Sequence, residues 1–177
     1  MARRPRRGRS RRGRRCGPRA TGARDVSVDV ARADVADAAA LAALRFRWRT
    51  EEAGETGPSA EAYAAALAEW IEAHRTSHVA YLAKEGGVAI GEAWRATVDR
   101  VPGVARPRRF SAFVQAVYVV PEHRGRGVGT DLVGRLVDEA RDEGLDYLVV
   151  HPSPRSVSFY RRLGFADADR ALELRFT

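Results

Sequence analysis

The chain has 177 residues, enough for one domain with a substantial hydrophobic core and too few for two ordinary domains. Its formal charge of +8 comes from one end: residues 1–24 hold 11 arginines and no acid, leaving 20 basic against 23 acidic residues and a net charge of −3 elsewhere. That distribution argues against a nucleic-acid partner for the body of the chain. No apolar run approaches the roughly 18 residues a membrane span needs, and the lone Cys16 excludes an intrachain disulfide or a cysteine metal site.

Residues 1–24 combine arginine with four glycines and two prolines and almost no large apolar side chain, so they are expected to be disordered. They lack the apolar stretch of an export signal and the amphipathic pattern of a transit peptide. The remaining expectation is a non-functional extension or a mis-set start in a GC-rich bacterial genome, since Lys84 is the only lysine. A cytoplasmic location is expected.

Val26, Val28 and Val30 alternate with polar residues and predict a first strand. Asp34 then stands before Val35, Ala38, Leu41, Ala42 and Leu44 at helical spacing, placed to cap a helix that runs to about Trp48. A polar stretch follows over residues 51–57. Pro58 and Ser59 open a second helix, with Tyr63, Leu67, Trp70, Ile71 and His74 on one face, ending near Arg75. Residues 79–83 and 88–97 read as strands joined through Gly86 and Gly87 in a tight hairpin. Residues 99–109, with two prolines and four arginines, read as a loop before a long strand over 112–120, which Pro121 ends.

A helix is predicted over 127–143, closed by Gly144, then a buried strand over 147–150. Pro154 suits the first turn of a short helix to Arg162, closed by Gly164, and Leu172, Leu174 and Phe176 alternate as a last strand. The order is β-α-α-β-β-β-α-β-α-β: an α/β (α+β) fold with a mixed, mostly antiparallel sheet and helices on its faces over residues 25–177. The four histidines, His74, His78, His123 and His151, show no two-ligand helical spacing, and no metal is expected.

The most informative segment is 117–132: strand, proline breaker, glycine-rich turn, helix. Gly125, Gly127 and Gly129 let backbone amides converge at a helix N-terminus, where unpaired N–H groups and the macrodipole favour an anion. Arg124 and Arg126 add positive charge. The pattern points to a phosphate or pyrophosphate. A P-loop would need a lysine that is absent here. A dinucleotide fingerprint would need an acid at the end of the next strand, where His151 stands instead, and only 26 residues follow His151.

Arg124, Gly127 and Gly129 match the signature of the GNAT acetyltransferases, Gln or Arg, two residues, Gly, one residue, Gly or Ala. Downstream, Ser153, Ser156, Phe159, Tyr160, Leu163, Gly164 and Phe165 resemble that family's second motif, Asn-x-x-Ala-x-x-Phe/Leu-Tyr-x-x-Leu-Gly-Phe. The specific resemblance covers residues 114–165.

The resemblance implies an N-acetyltransferase that uses acetyl-coenzyme A and an amine acceptor. It implies a pantetheine arm along Val117, Tyr118 and Val119, a pyrophosphate on the amides from Gly125 through Arg126, Gly127, Val128 and Gly129 to Thr130, and further cofactor contacts from Ser153 and Ser156. Ser153 stands where many relatives have Asn. By the same resemblance the amine attacks the thioester directly, the backbone near Val117 polarises the carbonyl, and Tyr160 protonates the departing sulfur.

A base matters more for a lysine-like acceptor, about one in 2,500 of which is neutral at pH 7, than for an α-amine, of which about a tenth is neutral. Glu92, Gln115 and His151 are the candidates. Some relatives keep a glutamate on the strand matching residues 112–120, which here holds no acid. The resemblance builds the acceptor pocket from the first two helices, their loop and the last strands; Trp48, Glu51, Glu52, Glu55, Trp70 and Trp94 fall in that region, where acids attract a cationic amine and aromatics flank it. A non-catalytic acyl-coenzyme A sensor and a nucleic-acid-associated protein acting through the arginine arm are the other readings. Oligomeric state stays open, a homodimer included.

Overall fold

The computed structural model describes residues 27–168 together with Leu174 and Phe176. The arginine-rich arm, Val26 and most of the predicted last strand, Leu172 included, lie outside the described residues. Strand β1 (Val28–Arg32) leads into a capping box, in which the Asp34 carboxylate accepts from the Ala36 amide at 2.8 Å and Asp37 reaches back to the Asp34 amide at 3.3 Å. The cap opens a single 3₁₀ turn, and helix α1 proper begins three residues later (Ala38–Arg47).

Helix α1 does not stop at Trp48. It continues into a wide π turn (Trp48–Glu52), closed by the Ala53 amide on the Trp48 carbonyl at 3.1 Å, with Thr50 Oγ1 bonded back to the Phe46 carbonyl at 2.7 Å. Helix α2 (Ala60–His74) starts where Ser59 caps the Ala62 amide.

Strands β2 (His78–Glu85), β3 (Val88–Asp99) and β4 (Phe110–Val119) follow, then helix α3 (Val128–Asp142), strand β5 (Leu148–Val150) and helix α4 (Val157–Arg162). The sheet order is β1-β2-β3-β4-β5, antiparallel through β4, with β5 parallel to β4. Pro154 was expected in the first turn of the last helix. It sits instead in a turn in which the Ser156 amide bonds the Ser153 carbonyl, and the helix starts at Val157.

The two faces of β3 meet different layers. Gly91 and Arg95 face α3, whose Leu132 and Glu139 they approach, while Glu92 and Trp94 face α1 and α2 through Arg45 and Trp70. Leu132, Val133 and Leu136 of α3 are fully buried on one side, and Leu41 and Leu44 of α1 on the other. Among the described residues no helix is long and apolar enough to cross a membrane.

Candidate functional site

Strand β4 changes character halfway along. Ala112, Phe113 and Val114 pair with β3 and, through Leu148, Val149 and Val150, with β5. At Gln115 the register slips: Trp94 faces Ala116 and Arg95 faces Val114, so Gln115 is an extra, unpaired residue that kinks the strand. Beyond this bulge the β5 pairing ends. Val117, Tyr118 and Val119 keep their β3 partners Ala93, Glu92 and Gly91, and their other edge borders a cleft of about 820 Å³.

The floor of that cleft is the glycine turn. Gly125 and Gly127 adopt φ of +74° and +87°, a region that L side chains enter only under strain. Gly127 is the N-cap of α3 and no side chain caps the helix, so its first amides, from Val128 to Thr130, are left to the cleft. Gly129 is flanked by Phe159 and Val119, which a Cβ there would meet at 3.6 and 3.8 Å. The far wall is built by His151, Ser153, Ser156, Phe159 and Tyr160. An open strand edge, donor amides at a helix N-terminus and a polar far wall suit an elongated ligand with an amide-bearing arm and an anionic end.

The two arginines of the turn are already engaged. Arg124 lines the cleft, yet its Nε donates to the Val119 carbonyl at 2.8 Å and its Nη2 to Glu52, with the guanidinium 5.6 Å over the Tyr118 ring. Arg126 does not line the cleft; it pairs with Glu85 and lies 2.9 Å from His123 Nδ1. The cationic side chains were expected to flank an anion together with the amides; here acids hold both, Arg124 within the cleft and Arg126 outside its lining.

Tyr160 is 8% exposed, and burial pushes its phenol up to about 12. Its amide bonds the Ser156 carbonyl, and its ring meets Phe159 and Phe165 edge-on at 5.0 and 5.5 Å. Trp48 is carried into the cleft by the π turn and stacks on Tyr118 at 5.8 Å.

A second cavity of about 330 Å³ lies between α2 and the sheet, walled by Tyr63, Leu67, Trp70, Trp94, Gln115 and Arg45. Glu92 lies behind this wall, fully buried. Burial pushes its carboxyl up to about 7, against the pull of the Trp94 indole N–H on Oε2 at 2.8 Å and of Arg45. Its Oε1 is 3.8 Å from Arg45 Nη1 and has no hydrogen bond among the described residues.

The candidate bases are therefore separated: Gln115 lines the second cavity, His151 lines the first and stacks on Phe113 at 6.3 Å, and Glu92 lines neither. Glu51 is exposed, pairs with Arg47 at 3.0 Å and lines neither cavity. Arg45 has no place in the sequence reading, and Tyr63 appears there only as part of the apolar face of the second helix. A signal for Arg45 existed, since it follows Leu41 by four positions and so puts a charge on the inward stripe of α1. Among the described residues no group of three or more His, Cys, Asp or Glu side chains is placed to share a metal.

A family model, Acetyltransferase (GNAT) family, matches residues 41–165. The chain is similar to serotonin N-acetyltransferase 2, chloroplastic, of Oryza sativa subsp. japonica, with 42% identity over 57 residues, 32% of this chain and 28% of the relative. It is also similar to the L-amino acid N-acyltransferase MnaT of Escherichia coli K12, with 42% identity over 53 residues, 28% of this chain and 31% of the relative. The chain thus spans less than a third of the length of either relative. Among solved structures, a predicted acetyltransferase of Clostridium acetobutylicum with acetyl-CoA superposes with a TM-score of 0.69 at 24% identity, covering 84% of this chain and 96% of that one.

Proposed function

We propose, from the premise that the chain belongs to the acetyltransferase (GNAT) family, that it is an enzyme that moves the acetyl group of acetyl-coenzyme A to the nitrogen of an amine by direct attack. One observation carries the reading: a strand edge, a set of uncapped helix amides and a buried tyrosine converge on a single cleft. The likeness to a fold solved with acetyl-CoA, and to relatives named for acylating amines, supports it.

The edge from Val117 to Val119 offers backbone donors and acceptors to an extended amide-bearing arm, as an added strand would use them. The α3 amides from Val128 to Thr130 hold the anionic end, helped by the helix dipole. A backbone N–H near Val117 stabilises charge developing on the thioester oxygen. Tyr160 gives a proton to the departing sulfur. Burial keeps the phenol protonated at neutral pH, as a donor must be, and the same dry surroundings raise the basicity of the thiolate that forms beside it.

For removal of the acceptor's proton, His151 is the candidate in contact with the cleft. The Gln115 amide is a hydrogen-bond partner rather than a proton acceptor. Glu92 holds the Trp94 indole and faces Arg45, which suits it to position the second cavity's wall, and we assign the acceptor to that cavity. The test is thiol release from acetyl-coenzyme A across a panel of amines. Tyr160→Phe is expected to lower kcat by about tenfold or more while acetyl-coenzyme A still binds. Unchanged turnover in that variant, or no release with any amine, would overturn the assignment.

A further inference from the structure

The second cavity has an unusual wall. Tyr63, Trp70 and Trp94 give it three aromatic rings, with the two indoles edge to face at 6.0 Å and Trp70 backed by His74 stacked at 4.2 Å. Among the described residues that line it, none is an acid. A polyamine or an aminosugar rich in ammonium groups would meet a cation here and no carboxylate, and a polyol would find few hydrogen-bond partners, because the Trp94 N–H is already given to Glu92.

Among the described residues, the charge on the wall is Arg45. Its side chain is 27% exposed, and its one ion-pair contact among the described residues is the 3.8 Å approach to Glu92, too long for a hydrogen bond. Glu92 is itself buried and biased toward its neutral form, which weakens it further as a counter-ion. A guanidinium that lines an aromatic cavity and has no closer acidic partner among the described residues is a ready fork for a carboxylate.

Position adds a constraint. Arg45 Cζ lies 6.0 Å from the centroid of the Trp48 ring, which lines the first cleft, so Arg45 stands between the two cavities. On β4 they are equally close: Gln115 lines one and Val117 the other, two residues apart, roughly 7 Å along a strand. A molecule the size of an amino acid spans that interval.

We propose that the acceptor is a primary amine bearing both a carboxylate and an aromatic or large apolar group, as an aromatic α-amino acid does, and that Arg45 is the specificity-determining residue that takes the carboxylate. This inference rests on the acetyl-transfer reading above. A volume of about 330 Å³ is at the small end of ligand cavities and fits one such side group, and one arginine balances one negative charge.

The experiment compares three amines by thiol release: phenylalanine, 2-phenylethylamine, which lacks the carboxylate, and alanine, which lacks the ring. For the wild type, kcat/KM is expected to be highest for phenylalanine. In Arg45→Gln it should fall about 10- to 100-fold for phenylalanine and little for 2-phenylethylamine, with Arg45→Lys recovering part of the loss. Equal or better use of 2-phenylethylamine by the wild type would overturn the proposal, as would a phenylalanine rate that Arg45→Gln leaves unchanged. The wild-type comparison does not depend on either variant folding, and calorimetry with acetyl-coenzyme A checks that both do. Release with other amines but not with phenylalanine would end this inference and leave acetyl transfer standing; release with none, while acetyl-coenzyme A binds, would end both.

Discussion

Strand β3 buries two charges, three residues apart and on opposite faces, and treats them differently. Arg95 is fully buried against α3, where its two terminal nitrogens each lie 2.8 Å from a Glu143 oxygen and Glu139 approaches at 3.4 Å; only its Nε has no partner. Glu92 is as deeply buried against α1 and α2, yet holds one indole hydrogen bond, a distant arginine and an unbonded oxygen. A buried charge closed by a forked partner belongs to the architecture. One left partly open costs stability, and on the reading proposed above it marks the face of β3 turned toward the acceptor cavity.

The largest expected effect tests the closed charge. Arg95→Ala empties a fully buried site and removes two 2.8 Å bonds to Glu143, and is expected to cost about 3 to 5 kcal/mol in urea unfolding. The KM of the remaining folded enzyme for acetyl-coenzyme A should not change. If the loss fell instead on KM, the division between an architectural and a functional face of β3 would be wrong.

Glu92→Gln tests the open one. The folded state raises the affinity of Glu92 for its proton, so its contribution to stability is fully present below the ordinary carboxylate range near pH 4.5, declines as pH rises, and is gone above about 7. Across that window the wild type should lose about 3 kcal/mol relative to Glu92→Gln, whose amide keeps an oxygen for the Trp94 indole. Subtracting one unfolding profile from the other cancels groups common to both, His78 among them, whose proton affinity burial lowers. A difference that stays flat from pH 4.5 to 7 would show that Glu92 carries no strain.

The contrast also explains how much of the site was legible in the sequence. Gly125, Gly127 and Gly129 before an amphipathic helix announce a turn of donor amides, because positive φ and helix spacing are local properties, and Gly127 does sit at φ +87°. The order of the described elements follows from periodicity for the same reason. Three features were not legible. The Gln115 bulge depends on how β3 and β4 register, the π turn that brings in Trp48 depends on what lies across from it, and the partner of Arg126 is Glu85, 41 positions away. Nothing within a short window distinguishes an arginine that waits for a ligand from one a distant acid has already claimed. Arg45 is the reverse case, a charge on an inward stripe whose lack of a close acidic partner among the described residues shows only when the elements assemble.

The smallest expected effect follows from that last distinction. If open and closed charges divide function from architecture, Arg126, closed onto Glu85 and outside the cleft lining, should matter little although it lies within the glycine turn. Arg126→Ala is expected to change the acetyl-coenzyme A KM by less than about twofold at moderate salt, as for an exposed pair that solvent and ions screen. Gly127→Ala, one position on, forces a side chain into a left-handed backbone and should raise the same KM by more, since it disturbs the amides themselves. A reversed order, with Arg126→Ala the more damaging, would mean that the guanidinium leaves Glu85 to meet the ligand, and that charge closure in the free protein does not identify the residues the ligand uses.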